Sequence, residues 1–330
     1  MSEITKKATK PVKSIAVLTS GGDAPGMNAC LRAVVRSALK HGLEVFFVND
    51  GYRGLVEGDI HPVIDRNFVK DIINRGGTII QSGRLPEFAK PEIQKKAIQQ
   101  LKRRNIDSLV AIGGDGTYRG LLALSKLGVK CIGLPATIDN DIASTDYTIG
   151  FDTCLNTICD CVDKIRDTSS SHQRCSLIEV MGRHCGDLAV FAGIAEGVEA
   201  VITYDYKIPE DEFMNDLREL EKKKKHHAIV LVSENLLDIH ELAKKVERET
   251  GFECKAEVLG RLQRGGKPSA FDRILASKLG NHAIETLLAG RSCRVCGVIH
   301  NVVEDIDIDE ALAMPRDRKE NLTKLLDILR

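Results

Sequence analysis

Three short strings rich in glycine and aspartate each follow an apolar run of strand length, and this arrangement restricts the possible folds most strongly. The strings are TSGGDAPGMN (Thr19–Asn28), GGDGT (Gly113–Thr117) and TIDND (Thr137–Asp141). They follow Ile15–Leu18, Leu109–Ile112 and Cys131–Leu134. In an open parallel sheet, ligands bind beyond the carboxyl ends of the strands. The three strings therefore predict one crevice with main-chain amides, hydroxyls and the carboxylates of Asp23, Asp115, Asp139 and Asp141.

Strands and helices alternate along the chain, which predicts mostly parallel, doubly wound sheets. In the first half the other predicted elements are a strand at 44–48 and helices at 27–40, 91–104 and 118–127. After Gly150 the predicted helices are 154–167, 188–197, 210–222 and 239–250, and the strands are 176–180, 200–203 and 228–232. The late segments 271–289 and 294–300 fit either series. Since 330 residues suffice for two α/β cores, we expect two Rossmann-like lobes.

Composition argues against several classes of protein. Acidic and basic residues number 47 each, so no net charge favours nucleic acid or membrane. Tryptophan is absent and aromatic residues are scarce, which disfavours base stacking. The apolar runs are much shorter than the roughly 20 residues of a membrane span. Residues 1–10 are polar and lack an apolar signal segment, so we expect a loose leader and a cytoplasmic protein.

The ten cysteines do not form an obvious disulfide or metal framework. Cys293 and Cys296 have C-x-x-C spacing, but Cys296 falls in a predicted strand, and neither a second C-x-x-C nor a ligand-spaced histidine pair accompanies them. Most of the others lie in apolar runs or on helical faces, as do Cys30, Cys131, Cys154, Cys159 and Cys175. We expect reduced, mostly buried thiols.

The first two strings suit a phosphate. Gly21 and Gly22 allow close approach to the main chain, and the following helix supplies N–H groups and a positive dipole end. No lysine follows the glycines and G-x-G-x-x-G is absent, which disfavours a P-loop or a dinucleotide site. Asp115 suits magnesium held together with substrate phosphates. The alternatives are a tight turn without a ligand and an aspartate that caps a helix.

The third string suits proton transfer. If it is strand-like, Asp139 and Asp141 face the same side, and two nearby carboxylates raise the pKa of one of them, as a general base requires. The alternative is a hydrated acidic turn. Arginines beside glycine or serine loops suit bidentate phosphate binding, although each alone also fits a surface ion pair; they are Arg84, Arg174, Arg183, Arg261 and Arg264. Together these features point to phosphoryl transfer. We interpret His172, His184 and His300 as structural, and the lysine run 222–225 as a solvated helix end or, alternatively, an anion-binding surface.

Taken together, these strings resemble the bacterial-type ATP-dependent 6-phosphofructokinase family over nearly the whole chain. The motifs GGDAPGMN, GGDG, TIDND, DTSSSHQR, EVMGR and QRGG, which begin at residues 21, 113, 137, 167, 179 and 263, stand in family order and spacing. The resemblance implies transfer of the γ-phosphoryl group of ATP to the 1-hydroxyl of fructose 6-phosphate. It also implies an ATP-binding lobe (1–149 with about 262–312), a sugar-phosphate lobe (150–261 with about 313–330) and an active site in the cleft between them.

The resemblance also implies residue roles. Asp139 would be the general base, Asp141 would assist electrostatically, and Asp115 would hold Mg²⁺. The Gly21 or Gly22 amide, the Thr137 hydroxyl and Arg84 would stabilise the moving phosphoryl group, with Arg183 also in the catalytic set. The implied nucleotide-binding residues are Gly21, Gly22, Tyr52, Arg84, Leu85, Gly114, Asp115, Gly116 and Thr117. The implied sugar-phosphate-binding residues are Thr137, Ile138, Asp139, Arg174, Met181, Gly182, Arg183, Glu234, Lys255, Arg261 and Arg264.

Family members of this type are tetramers, so the resemblance implies a homotetramer in which Arg174 and Lys255 reach a neighbouring subunit's site. It further implies an effector site for ADP or phosphoenolpyruvate. The implied effector residues are Arg32, Arg36, Arg66, Arg166, Gly197, Glu199, Lys223, Lys225 and His227. Arg32 and Arg36 lie one helical turn apart, so both can meet one anion.

The chain departs from the family at a few positions. Lys255 replaces the usual arginine and Arg261 the usual histidine, which keeps positive charge but moves the guanidinium fork. Ala136 replaces the usual glycine, whereas diphosphate-dependent relatives tend to carry lysine there and aspartate at the position of Gly116, so ATP is the favoured donor. The alternatives are a diphosphate-dependent enzyme and a non-catalytic regulatory subunit. A nicotinamide oxidoreductase is disfavoured because the dinucleotide fingerprint is missing.

Overall fold

The structure is a computed structural model that describes residues 11–223, 225 and 227–329. The strands are β1 (Ser14–Ser20), β2 (Glu44–Val48), β3 (Ile60–Pro62), β4 (Ser82–Gly83), β5 (Ser108–Gly113), β6 (Lys130–Pro135), β7 (Cys175–Val180), β8 (Ala200–Ile202), β9 (Ala228–Ser233), β10 (Cys254–Val258), β11 (Arg294–Ile299) and β12 (Val302–Asp307). The helices are α1 (Met27–Lys40), α2 (Gly51–Glu57), α3 (Pro91–Arg103), α4 (Asp115–Lys126), α5 (Phe151–His172), α6 (Asp187–Glu196), α7 (Glu210–Lys222), α8 (Ile239–Thr250), α9 (Ala270–Leu288), α10 (Ile308–Ala313) and α11 (Glu320–Leu329). Short 3-10 turns lie at Arg66–Val69, Pro86–Ala89 and Gly260–Arg264.

The described chain divides into two compact units. Unit 1 contains the described residues up to Thr137, then Ile142–Ile149 and Lys267–Met314. Unit 2 contains Ile138–Asp141, Gly150–Gly266 and the described residues from Pro315 onward. The predicted leader at 1–10 and Lys224 of the lysine run lie outside the described residues.

Unit 1 is built on a largely parallel sheet, here called the first sheet. Its strand order is β12-β11-β6-β5-β1-β2-β3, and β4 pairs with the end of β1. β12 and β3 are antiparallel to their neighbours, whereas the other pairings are parallel. Every residue of β1 and β5 is buried, as expected for central strands covered on both faces. The late elements α9 and β11, which the sequence left open, belong to this unit.

Unit 2 is built on a smaller sheet, here called the second sheet, with the order β10-β7-β9-β8. All of its pairings are parallel. Its core joins strand residues such as Leu177 and Val230 to helix residues such as Phe213 and Val246. The predicted α/β class with mostly parallel sheets is therefore confirmed.

One local prediction was wrong. The serine run after Asp167 does not form a loop, because α5 continues to His172. The Ser169 hydroxyl donates to the Ile165 carbonyl (2.7 Å) and the Ser171 hydroxyl to the Asp167 carbonyl (2.8 Å). Both hydroxyls thus bond to carbonyls one turn earlier in the same helix, as serines inside helices often do.

Candidate active site

The carboxyl ends of four strands of the first sheet lie side by side. The ladders pair Ser20 with Gly113 and with Gly83, and they pair Gly113 with Pro135. The residues that follow these strand ends are therefore brought to one edge of the sheet. They include the expected nucleotide residues Gly21, Gly22, Arg84, Leu85, Gly114, Asp115, Gly116 and Thr117, together with Thr137.

Hydrogen bonds to main-chain carbonyls connect neighbouring strand ends at this edge. The Thr117 hydroxyl donates to the Ser20 carbonyl (3.2 Å), and the Ala136 N–H donates to the Gly113 carbonyl (3.1 Å). Gly113 has no side chain, and a Cβ there would overlap the Ser20 carbonyl oxygen and the Thr117 hydroxyl. The close approach of β1, β5 and α4 thus depends on glycine at this position.

Helix α4 presents its amino end at the same edge. It begins at Asp115, directly after Gly114, and Asp115 is partly exposed in its first turn. The positive end of the helix dipole and its first N–H groups suit a phosphate. A Cβ at Gly114 or Gly116 would meet no other atom within 4 Å, so the main chain here is open to close approach. Asp115 offers the oxygen donor that Mg²⁺ prefers.

Tyr52 packs against the start of α4 and so supports this edge. Its hydroxyl donates to the Thr117 carbonyl (2.6 Å), and its ring stacks on Phe88 with a centroid distance of 4.2 Å. The side chain is only 4% exposed, and burial raises the pKa of its hydroxyl well above the usual value. Tyr52 therefore packs beneath α4, whereas Arg84 is exposed and Leu85 is half-buried.

The loop Thr137–Asp141, here called the carboxylate loop, is held through side chains of unit 2. Asp139 and Asn140 are each 6% exposed. The Asn140 amide donates to the Asp187 carboxylate (2.9 Å) at the start of α6. Asp187 is also paired with Arg316 (3.4 Å), and Arg316 is paired with Asp205. Burial raises the pKa of the Asp187 carboxyl, against the hydrogen bond from Asn140 and the charge of Arg316.

The backbone of this loop differs from the predicted one. Asn140 has φ of 53°, in the left-handed region, so the loop is not strand-like. The condition under which alternation would place Asp139 and Asp141 on the same side is therefore not met. Sequence reasoning also missed Asp187 and Arg316, since only an acidic first helical residue hinted at either.

The carboxyl edge of the second sheet gathers the expected sugar residues that follow β7 and β9. The Glu234 carboxylate accepts from the Arg183 N–H (2.8 Å), and the Tyr204 hydroxyl donates to the Glu234 carbonyl (3.2 Å). The buried Gln263 side chain accepts from the Met181 N–H (3.1 Å). Gln263 lies in the 3-10 turn that carries Arg261 and Arg264, which brings these arginines to the same edge.

Arg174 and Lys255 lie at the other edge of the second sheet. Arg174 directly precedes β7, whereas Met181 directly follows it, so six strand residues separate them by about 20 Å. Lys255 is paired in register with Ser176, near the same amino end. Glu253 bridges the two cations at 2.9 Å from Arg174 and 3.3 Å from Lys255, and these contacts lower the pKa of its carboxyl. The chain therefore does not bring Arg174 or Lys255 to the edge that carries Arg183.

The expected effector residues fall into two groups. In unit 1, Arg32 and Arg36 share α1, which packs against the turn that begins at Arg66. Burial and the charge of Arg36 lower the pKa of Arg32. In unit 2, Arg166 donates to the Glu196 carbonyl (2.6 Å), and Lys225 pairs with Glu199. The remaining members of the unit 2 group are Gly197, Lys223 and His227.

Two features are absent from the described residues. Within residues 11–223, 225 and 227–329, no group of three or more His, Cys, Asp and Glu side chains is arranged to hold a metal. A single carboxylate such as Asp115 fits an ion that phosphates hold as well. In the same part of the chain no helix has the length and apolar character needed to cross a bilayer.

Parallel sheets with glycine-rich strand ends and adjacent arginines are typical of α/β proteins that bind phosphorylated ligands at the carboxyl ends of their strands. The family description Phosphofructokinase matches residues 14–287. The chain belongs to the phosphofructokinase family.

Curated relatives cover almost the whole chain. It is 52% identical over 318 residues to ATP-dependent 6-phosphofructokinase 1 of Clostridium perfringens, and 51% identical over 319 residues to ATP-dependent 6-phosphofructokinase of Vibrio parahaemolyticus. Each match spans 96% of this chain and 99% of the relative.

Solved structures give the same fold. Phosphofructokinase from Saccharomyces cerevisiae is 32% identical with a TM-score of 0.84, and the match covers 96% of this chain but 47% of the yeast chain. Pyrophosphate-dependent phosphofructokinase from Marinobacter aquaeolei has a TM-score of 0.84 at 21% identity, over 93% of this chain and 85% of that one, which shows the fold alone.

Proposed function

We propose that this chain is an ATP-dependent 6-phosphofructokinase, which transfers the γ-phosphoryl group of ATP to the 1-hydroxyl of fructose 6-phosphate in glycolysis. The observation that carries the proposal is the 51–52% identity to two curated ATP-dependent enzymes over 96% of the chain. The strand-end geometry supports it, because amides and a helix amino end suit a polyphosphate while arginines suit a sugar phosphate. A cytoplasmic location follows from a role in glycolysis.

In the proposed mechanism, Asp139 accepts the proton of the sugar hydroxyl as it attacks. Asp139 is buried, and the neighbouring Asn140 ties the same loop to Asp187. The amides of Gly21 and Gly22, the Thr137 hydroxyl and Arg84 stabilise charge on the moving phosphoryl group, and Asp141 contributes to the local field. Asp115 would hold Mg²⁺ together with the nucleotide, and the bound ion would neutralise phosphate charge.

On the sugar side, Glu234 and Met181 contact the sugar, and Arg183 neutralises charge beside the reacting group. Arg264 and Arg261 bind the 6-phosphate. The anchoring of Glu234 and Met181 by main-chain hydrogen bonds supports these roles, because a fixed site loses less entropy on binding. ATP is the preferred donor because Gly116 leaves the start of α4 open and Ala136 places no charge there.

A coupled assay tests the activity. Purified protein with Mg²⁺, ATP and fructose 6-phosphate should form fructose 1,6-bisphosphate, and replacing ATP by diphosphate should abolish product. Product with diphosphate alone would identify the diphosphate-dependent alternative. No product with either donor, alongside retained sugar-phosphate binding, would identify a regulatory subunit.

We further propose a homotetramer in which Arg174 and Lys255 bind the 6-phosphate in a neighbouring subunit's site. Their position at the amino edge of the second sheet supports this, since Arg183 lies at the other edge of the same sheet. Light scattering should give about four times the 36.2 kDa chain mass. A mixture of Asp139→Ser and Arg174→Ala subunits, refolded together, should recover activity that neither variant has alone. No recovery in confirmed mixed oligomers would contradict a shared site.

We also propose that ADP or phosphoenolpyruvate regulates the enzyme through the two groups of basic residues. Arg32 and Arg36 on α1, and Arg166 with Lys225 in unit 2, give the charge that such anions need. Replacing Arg32 with Ala should remove the response to effector while leaving basal turnover near normal. An unchanged response to both effectors would contradict this assignment.

A further inference from the structure

A pair of thiols lies at the amino ends of β6 and β11, at the edge opposite the proposed nucleotide residues. Cys131 is the second residue of β6, and Cys293 directly precedes β11. The ladder pairs Arg294 with Ile132, which sets Cys293 opposite Cys131, and the Cys293 N–H donates to the Cys131 carbonyl (2.8 Å). Neighbouring strands lie about 4.8 Å apart, within the Cα separation of about 4.4–6.8 Å that a disulfide needs.

The side chains of this pair converge. The Cys131 side chain belongs to an apolar cluster of unit 1, and Cys293 packs against that same cluster. Cys131 is completely buried, and its thiol donates to the Leu121 carbonyl in α4 (3.5 Å). Cys293 is only half-buried, so one member of the pair is open to small molecules. The C-x-x-C spacing therefore suggests the wrong partner for Cys293. Its neighbour is Cys131, not the fully buried Cys296.

The two thiols have opposite tendencies to ionise. Polar neighbours, first the Cys131 thiol and then the Ser292 hydroxyl, lower the pKa of the Cys293 thiol to about 6, against the effect of burial. The neighbouring Cys293 and burial raise the pKa of Cys131. The two shifts favour the thiolate form of Cys293 and the protonated form of Cys131. The thiolate is the nucleophile in cysteine chemistry.

Other cysteines lack one of these properties. Cys175 and Cys254 also face each other in register on β7 and β10, but both are at most 4% exposed. Cys159 and Cys161 are half-buried, and burial is the main cause that raises the pKa of each thiol. Among the ten cysteines, all of which lie in described residues, Cys293 alone combines access with a lowered pKa.

We propose that Cys293 and Cys131 form an oxidation site for hydroperoxides. The Cys293 thiolate attacks one peroxide oxygen, the O–O bond breaks, and hydroxide or an alkoxide leaves, which makes Cys293 a sulfenic acid. The Cys131 sulfur then attacks the Cys293 sulfur, an S–S bond forms, and water leaves with the Cys131 proton. Two thiols are oxidised and one peroxide is reduced, and a dithiol reductant restores the pair.

The test treats the reduced, full-length oligomer with one equivalent of hydrogen peroxide and maps the product by mass spectrometry. Trypsin should release Ser292–Arg294 linked to the peptide 131–164, and cleavage before Asp139 should place the link on Cys131. Alkylation by iodoacetamide as a function of pH should give a half-maximal rate near pH 6 for Cys293, the value of its lowered pKa. At pH 7, Cys293 should react at least about tenfold faster than Cys161.

Two variants separate the steps. Cys293→Ser should abolish the link, while Cys131→Ser should leave a Cys293 sulfenic acid that a dimedone probe labels. Cys161→Ser is the matched control and should leave the link unchanged. If thermal unfolding shows that Cys131→Ser folds poorly, the comparison of Cys293→Ser with Cys161→Ser still tests the proposal. The proposal fails if Cys161 reacts as fast as Cys293, or if Cys293 is oxidised to sulfinic acid without forming the link.

Discussion

The carboxyl edges of the two sheets are held together by different kinds of hydrogen bond. In the first sheet, main-chain carbonyls accept the hydrogen bonds that hold the edge together, from the Thr117 hydroxyl to Ser20 and from the Ala136 N–H to Gly113. In the second sheet, side chains anchor the loops, as with Glu234 and Gln263. The difference matches two kinds of ligand. Open main chain with free N–H groups favours a polyphosphate, whereas fixed carboxylates and guanidinium groups favour a sugar phosphate.

The largest expected effect comes from the proposed base. Asp139→Asn keeps the size of the side chain but removes the proton acceptor, so kcat should fall by about 10²–10⁴-fold with little change in either KM. Steady-state kinetics measure this. Asp160→Asn, an exposed carboxylate paired with Lys164, is the matched control and should behave like the parent protein. Near-normal turnover in Asp139→Asn would remove Asp139 from the mechanism.

The next largest effect comes from the clamp that holds the carboxylate loop, formed by Asn140, Asp187 and Arg316. Asp187→Asn removes the charge that Asn140 and Arg316 contact, and a hydrogen bond to a charged group contributes about 1.5–3 kcal/mol. We expect kcat to fall about 10- to 100-fold while KM for ATP stays unchanged, because unit 1 is not altered. A parallel rise in KM for ATP would show that the substitution acts on the whole protein.

A smaller effect is expected in the first sheet. Gly113→Ala places a methyl group against the Ser20 carbonyl, which should destabilise unit 1 by about 1–3 kcal/mol and raise KM for ATP. Denaturant unfolding measures the first quantity and kinetics the second. Gly116→Ala is the stability control, because its Cβ would meet no atom within 4 Å. Equal stability losses in both variants would refute the argument from close approach.

The smallest effect concerns an anchor in the second sheet. Glu234→Gln retains an acceptor for the Arg183 N–H but loses the charge, so KM for fructose 6-phosphate should rise roughly tenfold, about 1.4 kcal/mol. KM for ATP should not move. If KM rises for ATP instead, the division of roles between the two edges is wrong.

Much of the fold could be predicted from the sequence because its pattern is local. Helices at 27–40, 210–222 and 239–250 match their predicted bounds, since apolar residues recur at helical spacing in each. β10 was missed because the alternating Lys255 and Glu257 interrupt its apolar character. α2 was missed because a seven-residue helix that begins with glycine has too little periodicity.

The candidate site was less predictable, because its details depend on long-range contacts. The strings could be assigned to strand ends, but the left-handed backbone of Asn140 left no local signal. Asn140 meets Asp187 across 47 residues of sequence, and Arg316 joins them from near the end of the chain. No periodic pattern encodes such a clamp. The separation of Arg174 and Lys255 from Arg183 likewise follows from strand direction and register.

The first sheet takes two of its strands, β11 and β12, from residues 294–307, after most of unit 2 has been made. During synthesis on a ribosome, β6 can pair with β5 at once, but its second neighbour, β11, is made only after well over a hundred further residues. Its exposed flank would be a hazard for aggregation in that interval, because an unpaired strand edge is a template for other chains. Nascent chains halted before residue 294 should consequently need a chaperone more than completed ones.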